Sequence, residues 1–131
     1  MFKDSDCIFC DKTKSKIISS TNFFFVIRDT AYPVTRHHTL IISNRHVSDY
    51  FDLNNDELKD LNNIIKNQQK ELVRLDKYIT GFNIGVNVGK DAGQSIMHCH
   101  IHLIPRRKGD VEDPRGGVRG VIPSKQKYKR K

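Results

Sequence analysis

The stretch His98-Cys99-His100-Ile101-His102-Leu103-Ile104 sets three histidines at alternating positions, with apolar or soft residues between them. A β-strand repeats every two residues, so this spacing sends the three imidazoles to one face and Cys99, Ile101 and Leu103 to the other. The apolar face is expected to pack into a core, while the other presents three titratable nitrogen bases to a cleft. Imidazole is the side chain best suited to proton transfer and nucleophilic attack near neutral pH. The stretch therefore reads as a strand that carries chemistry.

Outward from it, Gly81-Phe82-Asn83-Ile84-Gly85-Val86-Asn87-Val88 reads as a strand, and Gly89-Lys90-Asp91-Ala92-Gly93-Gln94-Ser95 as a turn-rich connection. Two strands joined by a short loop make an antiparallel hairpin. Asn22-Phe23-Phe24-Phe25-Val26-Ile27-Arg28 and Thr39-Leu40-Ile41-Ile42 are two further strands, the first aromatic and β-branched. Between them, Asp29 to Val34 is a loop. One long amphipathic helix comes next, capped by Asn54 or Asn55, with Leu58, Leu61, Ile64, Ile65, Leu72 and Leu75 at helical spacing. The histidine strand is expected to end at Pro105, before an irregular arm rich in Gly, Pro and Arg. The order β-β-α-β-β predicts an α+β fold with an antiparallel sheet.

A chain of 131 residues fits one domain, read here as a main unit over 1–110 and a basic arm over 111–131. The arm belongs to the same domain or extends it toward substrate or a partner protomer. No apolar run approaches a membrane span, and Met1-Phe2-Lys3-Asp4-Ser5-Asp6 lacks the layout of a signal peptide. The expectation is a soluble cytoplasmic protein with reduced cysteines. The net charge of +8 is uneven: residues 106–131 hold ten Lys/Arg against three Asp/Glu, and the remainder is nearly neutral. Such a segment suits nucleotide phosphates or another polyanion, or else is a solvated tail.

Three cysteines cannot all pair. Cys7 and Cys10 form a Cys-x-x-Cys unit without the strand-then-helix setting of a redox motif, so zinc is the more attractive reading, and a structural site then needs two further ligands. Gly89 and Gly93 allow backbone amides close to an anion, and Gln94 and Ser95 add donors; the same loop read blandly is only a hairpin turn. The spacing is not that of a Walker loop. For His98, His100 and His102 three readings stand: ligands of a catalytic metal, structural rings with bonded nitrogens, or a nucleophile for phosphorus with assisting neighbours.

His-x-His-x-His followed by two apolar residues, with Gly93-Gln94-Ser95 upstream, resembles the signature of the histidine triad family. Thr35-Arg36-His37-His38-Thr39-Leu40-Ile41-Ile42 and Arg45-His46-Val47 resemble further family segments, so the likeness covers most of the chain. It implies a nucleotide-binding α+β fold, as a homodimer whose sheets join across the interface. It implies that His100 is the nucleophile toward the α-phosphorus of a nucleotidyl substrate, with His102 bonding phosphoryl oxygen or the leaving group. By the same resemblance Gly93, Gln94 and Ser95 hold phosphate oxygens, Asn87 contacts substrate and Asp29 accepts from ribose hydroxyls. His38 lies close by, and Phe9 and Ile27 line the base pocket. Magnesium arrives, if at all, with the substrate polyphosphate.

The Cys7-Ile8-Phe9-Cys10 start resembles a zinc-containing subset of the family, in which the two cysteines are joined by His46 and His98 in a closed structural site. One departure is Arg36-His37, where many members carry Pro-Gly; His37 is expected to be an exposed loop residue. Ile104-Pro105-Arg106-Arg107-Lys108-Gly109-Asp110 and Asp113-Pro114-Arg115-Gly116-Gly117-Val118-Arg119-Gly120 resemble fragile histidine triad and dinucleoside polyphosphate hydrolases, whereas Asn87 resembles the nucleoside phosphoramidate hydrolases. The resemblance thus implies hydrolysis of an adenine-containing dinucleoside polyphosphate. Phosphoramidate hydrolysis is the alternative, and a nucleotide- or nucleic-acid-binding regulator acting through the basic arm is the alternative of another class.

Overall fold

The computed structural model describes residues 7–128. The opening residues 1–6, considered for a signal peptide, and Lys129-Arg130-Lys131 of the basic terminus lie outside the described residues.

Five antiparallel strands, β1 (Ile17–Ser20), β2 (Phe24–Arg28), β3 (Thr39–Ser43), β4 (Ile79–Gly85) and β5 (His100–Arg107), form one sheet in the order β1-β2-β3-β5-β4. The helix α1 (Asn55–Leu75) lies between β3 and β4 in the chain, so the fold is α+β as expected. Its cap is Asn54, whose side chain accepts from the Glu57 amide while the Glu57 carboxylate accepts from the Asn54 amide, both at 2.9 Å. Leu61, Ile64 and Leu72 recur at helical spacing and are buried; Leu75 is exposed, because the chain leaves the helix at Asp76 and turns into β4.

Several boundaries differ from those expected. β1 is an added edge strand whose four residues are all exposed, so no buried alternation marks it in the sequence. β2 begins at Phe24 because the Thr21 hydroxyl accepts from the amides of Phe23 and Phe24 and makes a turn there. β4 lies two residues earlier than read at its start, and Val86 to Val88 leave the ladder. β5 begins at His100, so His98 and Cys99 precede the strand rather than belonging to it, and it runs through Pro105 to Arg107. Proline is tolerated there because pairing with β3 ends at Leu103, so Pro105 pairs only with Phe82 of β4. Its carbonyl accepts from the Thr35 hydroxyl at 2.7 Å.

The register sets Ile42 beside His100 and Leu40 beside His102, with Ile41 beside Ile101. One face of the sheet, with Phe24, Val26, Ile41, Cys99 and Ile101, packs under α1 and meets Leu61 and Ile64. On the opposite face Phe25, Ile27, Leu40 and Ile42 form a second core with Phe9. Part of the histidine face is therefore covered: His98 and His100 are buried, while His102 is half-buried beside an open cavity. The arm folds back on itself through short helical turns at Gly117–Val121 and Pro123–Lys125. Gly116 is required there, since a Cβ would lie 1.9 Å from the Gln126 carbonyl oxygen. His37 takes a φ of +70°, in the left-handed region that glycine adopts freely and histidine tolerates better than most residues. That conformation accounts for the glycine common at this place in the family it resembles. His37 is also half-buried rather than exposed. Among the described residues, no helix is long and apolar enough to cross a membrane.

Candidate active site and metal centre

The histidines of β5, and His98 just before it, differ in which nitrogen is free, and backbone groups decide it. His100 Nδ1 lies 2.7 Å from the His98 carbonyl oxygen. A carbonyl accepts only, so Nδ1 carries the proton and Nε2 keeps its lone pair. His38 Nδ1 accepts the Val34 amide at 3.0 Å, so its proton sits on Nε2, which lies 2.9 Å from His102 Nδ1. His102 Nδ1 is then the acceptor and its Nε2–H is a donor. Adjacent inward rings, with centroids 5.3 Å apart, thus have opposite tautomers: a free Nε2 lone pair at His100 and an Nε2–H donor at His102. Burial holds His38, His98, His100 and His102 below the usual histidine range, and takes His102 to about 4. All four rings are neutral near pH 7.

His98 is turned to a different task. Its Nε2–H donates to the Ser43 carbonyl at 2.7 Å, which leaves the Nδ1 lone pair facing Cys7 Sγ at 3.3 Å, Cys10 Sγ at 3.5 Å and His46 Nδ1 at 3.1 Å. Cys10 Sγ lies 3.0 Å from His46 Nδ1, and all the ligand atoms fall within 4.8 Å of one another. A tetrahedral zinc site has ligand atoms about 3.3–3.8 Å apart, given Zn–N and Zn–S lengths of about 2.0–2.3 Å. Two thiols and two convergent imidazole lone pairs are the donor set zinc takes in structural sites, and the cluster fits it. The turn that supplies His46 is anchored by Arg45, whose guanidinium bonds both oxygens of the buried Glu57 at the start of α1. Those bonds hold the Glu57 carboxyl below the usual range. Cys99, on the helix face, has its thiol pushed up to about 12 by burial and is inert.

The connection before β5 is bent by Gly89 (φ +89°) and Gly93 (φ +95°). Gln94 is buried, and its amide braces this loop: Nε2 donates to the carbonyls of Ser48 and Ile96, and Oε1 accepts from the Gly89 amide. Its donors point into the loop, whereas Ser95 beyond it is exposed. Asp29 Oδ1 accepts from the amides of Ala31 and Tyr32. Its Oδ2 is 3.9 Å from the proton-free His38 Nδ1, so the two are not an ion pair. Phe9 and Ile27 sit together in the core of the histidine face. A cavity of 340 Å³ opens beside His102, lined by Asn83, Asn87, Val34, Ile104 and Val118. The arginines that end β5 are matched, Arg106 with two bonds to Asp110 and Arg107 paired with Asp76, and in the arm Arg115 and Lys127 both meet Asp113.

Residues 11–109 match the family model for the HIT domain. The chain belongs to the HIT domain family. It is similar to the fission yeast bis(5'-nucleosyl)-tetraphosphatase (asymmetrical) of Schizosaccharomyces pombe, 36% identical over 81 residues, which are 62% of this chain and 44% of that protein. It is similar also to the Saccharomyces cerevisiae adenosine 5'-monophosphoramidase, 36% identical over 108 residues, 79% of this chain and 65% of that one. The chain thus spans less than two thirds of the length of either enzyme. Among solved structures, a zinc-bound histidine triad protein of Mycobacterium smegmatis superposes with a TM-score of 0.70 at 30% identity, covering 82% of this chain and 80% of that one. The tautomer-setting groups (the Val34 amide and the carbonyls of Ser43 and His98) were beyond sequence reasoning, because every residue type carries them. A buried role for Gln94 likewise left no signal.

Proposed function

We propose that this HIT protein hydrolyses dinucleoside polyphosphates, diadenosine tetraphosphate among them, at an α-phosphorus through a covalent nucleotidyl-His100 intermediate. The observation that carries this reading is the pair of opposite tautomers at His100 and His102. The His100 Nε2 lone pair attacks the α-phosphorus, the bond to the bridging oxygen breaks, and that oxygen leaves with the electron pair. The His98 carbonyl, already bonded to His100 Nδ1–H, supports the positive charge the ring acquires. Water then attacks phosphorus, the P–N electrons return to Nε2, and the water proton passes to solvent. One hard displacement becomes two easier ones.

His102 favours an anhydride substrate. With its basicity held to about 4 it is a neutral ring at pH 7 that donates a hydrogen bond through Nε2–H. A polyphosphate leaves as a stable anion and needs only that bond, whereas an amine leaving group needs a whole proton. In this reading Ser95 and the Gly93 amide contact phosphate oxygens and Gln94 shapes their loop. Asp29 Oδ2 accepts from ribose, Asn87 contacts substrate beside the cavity, and Phe9 and Ile27 flank the adenine. Magnesium accompanies the polyphosphate. Cys7, Cys10, His46 and His98 hold zinc, which with four protein ligands supplies rigidity rather than an open catalytic position. The edge strand β4, with Ile84 exposed, is where a second protomer joins the sheet. Reduced thiols suit a cytoplasmic setting.

The yeast phosphoramidase likeness keeps one rival reading, and turnover of diadenosine tetraphosphate, diadenosine triphosphate and an adenosine phosphoramidate, side by side with product analysis, decides between them. The dinucleotides are expected to turn over at least about tenfold faster, a leaving-group preference of roughly 1.4 kcal/mol. The reverse order assigns the phosphoramidase activity. No turnover of any of the three, with salt-sensitive RNA binding instead, overturns the hydrolase reading.

A further inference from the structure

Phe9 is the buried residue of the turn that carries both cysteines. Cys7 and Cys10 are half-buried, Ile8 is exposed, and the turn is closed by the Cys10 amide bonding the Cys7 carbonyl. Phe9 reaches furthest inward, with its ring centroid 5.2 Å from that of His100 and 6.0 Å from that of His98; it packs on Phe25, Ile27, Leu40 and Ile42, and Cys7 lies against the margin of the same cluster. The next segments of the chain add no buried side chain to the turn: the short helix Lys12–Lys14 buries no residue, and β1, though paired with β2, is exposed throughout and begins only at Ile17. Lys12 adds a bond to Asn44 and a contact over the Phe25 ring. Burial of one ring does not offset the entropy of ordering a whole segment, so the metal ligands flanking Phe9 are what keep it seated.

We infer that Phe9 is a positioning residue coupling the metal centre to His100: closure of Cys7, Cys10, His46 and His98 on zinc seats the Phe9 ring against the His100 imidazole and walls the nucleotide pocket, and release of the metal unseats it. The inference rests on the proposed role of His100. It makes the zinc site part of the active-site architecture, since removing the ion opens the histidine face and leaves the helix face intact.

The test uses the full-length protein, zinc-loaded and chelator-stripped, as wild type, Phe9→Ala and Phe9→Leu. Zinc content, the NMR signals of the His100 ring and the affinity for adenosine monophosphate are measured. Phe9→Ala is expected to keep its zinc, to shift the His100 ring signals toward their positions in stripped wild type, and to weaken nucleotide binding about tenfold. Stripping wild type weakens binding by a similar factor, whereas stripping Phe9→Ala adds less than about twofold, because one coupling has already been cut. Phe9→Leu, which restores an apolar wall, recovers most of the affinity. Equal losses on stripping wild type and Phe9→Ala overturn the inference, as does stripped wild type with unmoved His100 signals or with no folded sheet. The ring signals and zinc content need no turnover, so a protein that hydrolyses nothing refutes the proposed function while leaving this coupling readable.

Discussion

The two faces of β5 are held by different physics. On one, Ile101 and Leu103 are buried beneath α1 and β4, in contacts that need only shape and apolar surface. On the other, His100 and His102, with His98 just ahead of the strand, are drawn in as polar rings, each with a nitrogen matched to a particular partner: His98 O, His38 Nε2 and Ser43 O in turn. A buried polar atom left without its partner is costly, so the rings on this face keep their orientation through directed bonds, beside the apolar core of Phe9, Phe25, Ile27, Leu40 and Ile42. Stability and chemistry are thereby divided between two sides of a single strand, and a substitution on one side is expected to spare the property set by the other.

The largest expected effect is on the histidine face. His100→Ala removes the nitrogen proposed to attack phosphorus and is expected to lower turnover on the order of 10³-fold or more, with nucleotide binding kept within a few-fold. Single-turnover kinetics beside equilibrium binding checks this; near-wild-type turnover breaks the division. Next, Leu103→Ala on the helix face leaves a cavity among Leu72, Ile79 and Leu103 and is expected to cost about 2–5 kcal/mol, read from urea denaturation. Its turnover at a temperature where it stays folded should be unchanged. A large kinetic defect there would show that the faces are not separable.

The smallest expected effect is the acid response. Burial holds His102 to about 4, below its value in the unfolded chain, so between about pH 6.5 and 4 the unfolded state binds the extra proton. Stability therefore falls as pH falls through that window and is steady above it. His102→Asn, which removes one of the titrating rings, should make the fall shallower in thermal melts from pH 7 to 4. An unchanged slope in that variant would remove His102 from the account.

Much of this was legible beforehand for simple reasons. Alternation every two residues assigned Cys99, Ile101 and Leu103 to one side and the histidines to the other. The spacing of Leu61, Ile64 and Leu72, with Asn54 and Glu57 ahead of it, marked the helix and its start. Less was legible where a property depends on neighbours in space. β1 is exposed on an edge and shows no pattern. Pro105 reads as a strand end until it is known that β3 stops pairing at Leu103. The segment from Arg106 onward reads as a positive one, although Asp110, Asp76 and Asp113 meet Arg106, Arg107 and Arg115.

By itself the sequence determined that the three alternating histidines share one side, two of them on β5 and His98 just before it, that one amphipathic helix covers the opposite side, and that the chain resembles the HIT type. Those are consequences of short-range periodicity and local motifs. Only the tertiary structure decided that the three rings differ. Cys7 comes from 91 residues away to meet His98, a backbone carbonyl frees Nε2 of His100, and the Val34 amide, acting through His38, turns His102 into a donor. The physical reason is that a ring's tautomer and ligand role depend on which donors and acceptors fold up against it, and those groups are backbone atoms and distant side chains that no local pattern encodes.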